Sequence, residues 1–141
     1  MPLIGREAVG SAIQNAKINA NKDVRGVYFS GLSAVIKQTP VDEGRARNNW
    51  FLTEGVASDQ ATTSNSDSGS NSFSQLNSIP KNVLDKKIYF TNNLPYIEVL
   101  EYGGYPNPNK GIKTAGGFSK QAPSGWVRKT LISMQNKIRS L

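Results

Sequence analysis

The chain has 141 residues, of which 37% are hydrophobic, and a formal net charge of +7. It contains neither cysteine nor histidine, which excludes disulfides, thiolate metal sites and the commonest general base. No stretch approaches the roughly 18 apolar residues of a membrane span, and the N-terminus does not read as a signal peptide. We therefore expect a single small, soluble domain, 1–141, that is made in a cytoplasm and inserts into no membrane.

Residues 1–38 are predicted to be helical. Apolar residues recur at helical spacing in residues 1–20, which indicates a weakly amphipathic first helix. Three polar residues are expected to interrupt it: Asn19, Asn21 and Asp23. A second helix over 24–38 has a clear apolar stripe: Val24, Val27, Tyr28, Leu32, Val35 and Ile36. Gly26 and Gly31 lower its helix propensity, so this helix should depend on close packing, with the protein's own core favoured over a neighbouring subunit.

The stretch from Thr39 to Trp50 is predicted to be a corner between helix and strand. Pro40 disfavours helical backbone at the residue before it, so the helix should end there. Residues 42–44, Asp-Glu-Gly, offer a turn. Arg45 and Arg47 then have the period-2 spacing that places both guanidinium groups on one face of a strand. An ordinary corner with solvated charges explains the same residues equally well.

Two short strands and a long polar loop follow. The first strand is predicted over 46–56 and the second over 87–92, because both are rich in aromatic and β-branched residues. Between them, 57–78 consists mainly of Ser, Asn, Asp, Thr and Gln. We expect a structureless loop there, since such a composition buries too little surface to offset the entropy of ordering.

The remainder predicts a short helix over 95–102, stopped by Gly103, and a last helix over 124–141 capped by Ser124. The last helix has an apolar stripe: Val127, Leu131, Met134, Ile138 and Leu141. Between the two helices lies a loop rich in Gly, Pro and Lys. The predicted fold class is thus α+β, a small antiparallel sheet packed with N-terminal and C-terminal helices and long flexible loops. Its parts are a helical 1–38, a sheet and loops over 39–123, and the helix 124–141.

Catalysis is not expected. Without His or Cys, an enzyme would need paired carboxylates, a Ser–Lys arrangement or a metal on oxygen ligands. Glu98 and Glu101 could share a helix face, but a surface ion pair is the simpler interpretation. Gly116-Gly117 lacks the spacing of a phosphate-binding loop. We predict no catalytic residues, no metal and no cofactor.

Six sequence pieces in a fixed order resemble the tail-completion, or neck, proteins of long-tailed bacteriophages. They are Thr39-Pro-Val-Asp-Glu-Gly-Arg-Ala-Arg-Asn-Asn-Trp50, Phe90-Thr-Asn-Asn93, Pro95-Tyr96, Val99-Leu-Glu-Tyr-Gly103, Gly116-Gly117 and Ala122-Pro-Ser-Gly-Trp-Val-Arg128. The resemblance spans most of 39–141. One departure is Glu43, where the family often has threonine, and this changes the charge of the turn.

The resemblance implies a virion structural protein at the joint between phage head and tail. Such a protein completes the proximal end of the tail as a homo-oligomeric ring, expected to be a hexamer, between the tail tube or terminator and the head connector. DNA would pass non-specifically through its channel. The candidate interface residues are Trp50, Tyr96, Glu98, Tyr102 and Trp126, and for the four aromatic ones packing in the core is favoured over an interface. The candidate rim or channel bases are Arg45, Arg47, Lys110, Lys113, Lys120 and Arg128.

The distribution of charge supports a different class of function. Residues 81–141 hold ten Lys and Arg against three Asp and Glu, and a basic half of this kind is typical of proteins that meet nucleic acid. The alternative function is therefore a stand-alone, basic nucleic-acid-binding protein. A positive charge that only keeps the chain soluble explains the composition equally well.

Overall fold

The computed structural model describes residues 4–40, 45–103 and 125–141. Its elements in chain order are α1 (Ile4–Gln38), β1 (Trp50–Glu54), α2 (Ser70–Gln75), a 3₁₀ turn (Leu76–Ser78), β2 (Ile88–Asn92), α3 (Ile97–Tyr102) and α4 (Trp126–Arg139). The two strands pair antiparallel, with Trp50 opposite Asn92 and Glu54 opposite Ile88. The predicted α+β class, with a small sheet between N-terminal and C-terminal helices, is confirmed.

Helix α1 is a single helix, so the predicted break at Asn19, Asn21 and Asp23 is wrong. These residues lower helix propensity by less than about 1 kcal/mol each, and none of them removes a backbone donor as proline would. Asn21 bonds within the helix, from its Nδ2 to the Lys17 carbonyl at 3.0 Å. Its Oδ1 also accepts the Leu84 amide at 3.0 Å. The side chain that was expected to end the helix therefore ties it to a distant segment.

The C-terminal half of α1 forms one wall of the core. Its predicted stripe is confirmed, because Val24, Leu32, Val35 and Ile36 are buried while Val27 and Tyr28 pack partly exposed against them. Residues 5–19 differ, since every one of them is exposed. We call residues 5–19 the arm; it is the part of α1 that extends beyond the core.

Residues 45–48, which precede β1, form a turn and not a strand. Helix α1 ends at Gln38, as Pro40 predicts. Residues 45–48 then form a turn, and the strand begins only at Trp50. The prediction of strand from residue 46, with Arg45 and Arg47 on one strand face, is wrong. The apolar and polar alternation that suggested a strand is produced here by one buried alanine, Ala46, between two half-buried arginines.

The polar segment 57–78 is ordered, contrary to the prediction of a structureless loop. Its second half forms α2 and the 3₁₀ turn, and Leu76 there is 1% exposed. Helix α2 covers the outer edge of β1, where the Trp50 amide donates to Ser72 Oγ at 2.9 Å and the Leu52 amide donates to Gln75 Oε1 at 3.3 Å. Polar side chains of α2 thus accept the backbone amides of a strand edge that has no neighbouring strand. A count of apolar residues does not detect this source of stability.

The short helix α3 ends at Gly103, as predicted, where φ is +82°. Helix α4 was predicted correctly, but it begins after Gly125, and Ser124 lies outside the described residues. Its apolar stripe is only partly used. Met134 is buried and Val127 and Ile138 pack against the core, whereas Leu131 and Leu141 are exposed.

Candidate functional site

The C-terminal end of α1 is the point at which distant parts of the chain meet. Carbonyl groups in the last turn of a helix have no partner within the helix. The Val35 carbonyl accepts the Thr39 hydroxyl at 2.6 Å and the indole N–H of Trp126 at 3.1 Å. The indole N–H of Trp50 in turn donates to Thr39 Oγ1 at 3.0 Å. Both tryptophans thus use their one polar atom at this helix end while their rings fill the core.

Arg47 braces the same end of the helix. Its guanidinium donates to the carbonyls of Lys37 at 2.7 Å, Thr39 at 3.0 Å and Asp67 at 2.9 Å. A cation is favourable there because the C-terminal end of a helix carries partial negative charge. The backbone of Gly69, at φ +71°, passes so close that an added Cβ would lie 2.6 Å from Arg47 Cγ. The arginine therefore connects α1 to the polar segment through backbone contacts.

Two buried asparagines hold the polar segment against the corner. Asn49 donates to the Thr62 carbonyl at 3.0 Å and accepts the Thr62 amide at 2.8 Å, so its amide pairs with this backbone as another strand would. Asn48 donates to the Ser66 carbonyl at 2.6 Å, and its own carbonyl accepts Asn71 Nδ2 at 2.8 Å. Both asparagine residues are 0% exposed. Buried amides need such partners, so the segment and the corner stabilise each other.

A second cluster joins α3 to the start of α4. The Glu101 carboxylate is buried and accepts the amides of Val127 at 3.1 Å and Arg128 at 2.9 Å. The Arg128 side chain pairs with the same carboxylate at 3.3 Å and lies 4.4 Å from the centre of the Tyr102 ring. A glycine, Gly125, precedes α4 and has no side chain to cap it. Glu101 therefore supplies from α3 the N-terminal cap and the negative charge that this helix end favours.

The same cluster fixes where the chain leaves α3 and re-enters α4. The Gly125 amide donates to the Glu101 carbonyl at 3.1 Å, and Arg128 Nη2 donates to that carbonyl at 3.1 Å. Gly103 follows Glu101 by two residues. The end of α3 and the start of α4, which flank residues 104–124, are consequently held side by side.

The predicted interface residues occupy different environments. Trp50 and Trp126 are core residues in the single chain, at 5% and 0% exposure, which is the alternative that the sequence favoured. Trp50 also stacks on the Phe90 ring at 5.0 Å. Tyr96 is half-buried against the core. Glu98 and Tyr102 are exposed, so they are the two members of the set whose side chains are available at the surface of one chain.

The predicted basic residues do not form one cluster in the described structure. Arg45 donates to the Thr62 carbonyl at 3.2 Å, Arg47 binds three carbonyls, and Arg128 pairs with Glu101. Each is half-exposed or exposed and makes structural bonds at the same time. The other three predicted bases, Lys110, Lys113 and Lys120, lie outside the described residues.

The residues that sequence reasoning missed are buried and polar: Thr39, Asn48, Asn49, Ser72 and Glu101. Glu101 was expected in a surface ion pair; it does pair with Arg128, but its carboxylate is buried, so the predicted surface position is wrong. One signal was present, because Glu101 and Arg128 lie in two of the six pieces that carry the resemblance. The clusters contain hydrogen-bond donors and acceptors that already have partners, so they are suited to holding backbone in place.

The described residues contain neither a metal-binding cluster nor a membrane-spanning helix. In 4–40, 45–103 and 125–141, no three carboxylates lie close enough together to hold a metal ion. None of the helices in those ranges is both long and apolar enough to cross a membrane. No protein-family model, curated protein or solved structure matches this chain.

Proposed function

We propose that this chain is a virion structural protein that completes the proximal end of a long bacteriophage tail and joins the tail to the head. It acts as a ring of identical copies around the DNA channel, seated between the tail and the head connector. It acts by binding to the tail and to the head connector through complementary surfaces, and no covalent bond is made or broken.

One observation carries the proposal: residues from four of the six resembling pieces converge on one framework. Thr39 and Trp50, from the first piece, bond to each other at the end of α1. Trp126, from the last piece, bonds to the same helix end, 91 residues away in the chain. Glu101, from a third piece, pairs with Arg128 of the last piece and joins α3 to α4, and Phe90, from a fourth piece, stacks on Trp50. Pieces that were matched only by their order along the sequence therefore contact one another in the structure, which supports the proposal.

The exposed surface suits assembly better than chemistry. Large apolar side chains remain exposed on α1 and α4, among them Val9 and Ile13 at 58% and 53% and Leu131 and Ile132 at 48% and 58%. Val9 and Ile13 stand at i and i+4 and so share one helix face, and grouped exposed apolar side chains are typical of protein–protein contact surfaces. A protein that joins two larger assemblies needs such surfaces on more than one side.

The test is a phage genome in which this gene carries an early stop codon. We expect DNA-filled heads and full-length tails to accumulate separately and the lysate to be non-infectious, because the joint between them is missing. Purified wild-type chain added to that lysate should restore joined particles in negative-stain images and restore plaques. The matched controls for the add-back are Asp85→Ala, an exposed residue outside the six pieces, which should restore joining, and a heat-denatured sample, which should not. Infectious particles that assemble normally without the chain would overturn the proposal.

The alternative, a stand-alone nucleic-acid-binding protein, rests on the basic surface of α4. This helix carries Lys129, Lys137 and Arg139 on its exposed side and contains no acidic residue. The alternative predicts that the monomer binds duplex DNA tightly and that binding falls steeply between low and physiological salt. Fluorescence anisotropy with the wild type and with a Lys129→Ala, Lys137→Ala variant measures both properties. Weak binding that neither salt nor the substitutions change would eliminate this alternative.

A further inference from the structure

An apolar groove opens between α1, α4 and β2. It encloses about 260 Å³ and is lined by Tyr28, Leu32, Ile88, Phe90, Leu131 and Met134. No charged residue lines it, so its chemistry does not suit a phosphate backbone, which needs cations. Its walls are two helices and one strand, a shape that accepts an amphipathic helix.

The arm is an apolar helix surface without a partner among the described residues. Val9, Ala12, Ile13 and Ala16 stand at i, i+3, i+4 and i+7, so they share one face. All four are exposed. Gly10 lowers the helix propensity of the arm, and docking of its apolar face would remove exposed apolar area from water.

The arm and the groove of one chain cannot meet. Tyr28 in the groove wall and Ile13 on the arm belong to the same unbroken helix. They are 15 residues apart, which at 1.5 Å per residue is about 22 Å along a rigid axis. The arm therefore points away from its own groove and is free to reach the groove of another molecule.

We propose that the arm of one copy docks in the groove of the next copy, with Val9 and Ile13 entering between Phe90 and Leu131. Each chain supplies one arm and one groove, so the two surfaces occur in equal number. The contact is head-to-tail, and contacts of this type close into rings when the rotation between copies permits. The alanines of the arm, Ala12 and Ala16, allow its backbone to approach closely. This inference rests on the proposed function and deepens it, since it names the contact that would build the ring.

The test uses one disabling substitution on each surface and one matched control. Ile13→Asp disables the arm, and Leu131→Asp disables the groove. Ile18→Asp is the control, because Ile18 is exposed on the same helix at 55% but lies about 140° around it from Ile13. All three positions are exposed, so circular dichroism should report folded proteins. Mass photometry and sedimentation velocity then measure assembly.

We expect the wild type and Ile18→Asp to assemble alike. Ile13→Asp and Leu131→Asp should each weaken assembly by about 100-fold, since a carboxylate would be desolvated in an apolar contact. An equimolar mixture of those two variants should form heterodimers and nothing larger. Only the intact arm of the Leu131→Asp chain fits the intact groove of the Ile13→Asp chain, and the remaining arm and groove are both disabled.

Cross-linking reports the same contact on assembled particles. The chain has no cysteine, so an Ile13→Cys, Leu131→Cys variant carries only the two thiols required. A bismaleimide should link it into dimers and larger species, whereas an Ile18→Cys, Leu131→Cys control should stay unlinked. The wild-type pattern should appear both in solution and on tails.

Three results would overturn the inference. These are rings that form equally well with Ile13→Asp, a variant mixture that does not pair, and a chain that stays monomeric both in solution and on tails. The first leaves the proposed function intact if heads and tails still need the protein to join, whereas the third would also remove the ring from it and leave only the joining of head to tail. Conversely, infectious particles formed without the protein would end the proposed function, even where the arm and groove assemble as expected.

Discussion

Thr39 shows how a single buried hydroxyl connects three elements. It donates to the Val35 carbonyl at the end of α1 and accepts the indole N–H of Trp50 in β1. Its own carbonyl accepts Arg47 Nε at 3.0 Å. The residue is 0% exposed, so water cannot replace any of these partners.

We expect Thr39→Val to destabilise the protein by about 1–3 kcal/mol, because the shape is kept while a buried indole N–H loses its acceptor. Thr39→Ser retains the hydroxyl and loses one methyl group, which should lower stability by only about 0.8 kcal/mol. Urea unfolding followed by tryptophan fluorescence measures both variants. Equal midpoints for Val and Ser would show that the hydroxyl contributes nothing.

Glu101 is a second single residue that stabilises the fold, because it caps the N-terminal end of α4. Glu101→Ala leaves the amides of Val127 and Arg128 without their acceptor and removes the cap of that helix, which should lower the free energy of unfolding by about 2–3 kcal/mol. Glu98→Ala, an exposed position on the same short helix, should change it by less than about 0.5 kcal/mol. Urea denaturation monitored by circular dichroism at 222 nm compares the two. A loss as large for Glu98→Ala would contradict the assigned cap.

At the scale of elements, α1 and α4 pack through one glycine. A Cβ added at Gly31 would lie 2.2 Å from Met134 Sδ, whereas nothing lies within 4 Å of one added at Gly26. The sequence predicted that both glycines reflect close packing. The structure confirms this for Gly31 and contradicts it for Gly26.

The two positions make a matched pair of substitutions on one helix. Gly31→Ala should lower stability by about 1–3 kcal/mol because Met134 is buried and must move. Gly26→Ala should raise stability by about 0.5–1 kcal/mol, since alanine favours the helix and meets no neighbour. Thermal unfolding of both variants is the measurement. A stabilising Gly31→Ala would mean that α4 does not lie against this glycine.

At the scale of the whole molecule, the arm is separable from the core. A chain lacking residues 1–16 should unfold at the same urea concentration as the full chain, within about 0.5 kcal/mol, when both are monomeric. The reason is that residues 5–16 are exposed and bury nothing. Removing α4 instead should leave the chain unfolded, because Trp126 and Met134 are lost from the core. A truncated chain with a lower midpoint would show that the arm packs against its own core.

Much of the architecture was predictable from short-range rules. Pro40 ends α1, Gly103 ends α3, and the β-branched and aromatic run of 88–92 forms β2. These signals act on the backbone within a few residues, so they can be read without knowing the fold. The apolar stripe of 24–36 also identified the wall of the core, because burial follows helical periodicity.

Local residue patterns were thus enough to predict the kind of element at most positions and the α+β class. They did not predict that α1 continues past Asn19, that 57–78 is ordered or that Glu101 is buried. These features depend on partners that are distant along the chain. The hydrogen-bond partners of Trp126 and Asn49 lie 91 and 13 residues away along the chain. A buried polar group is stable only when the fold brings such a partner within hydrogen-bond distance.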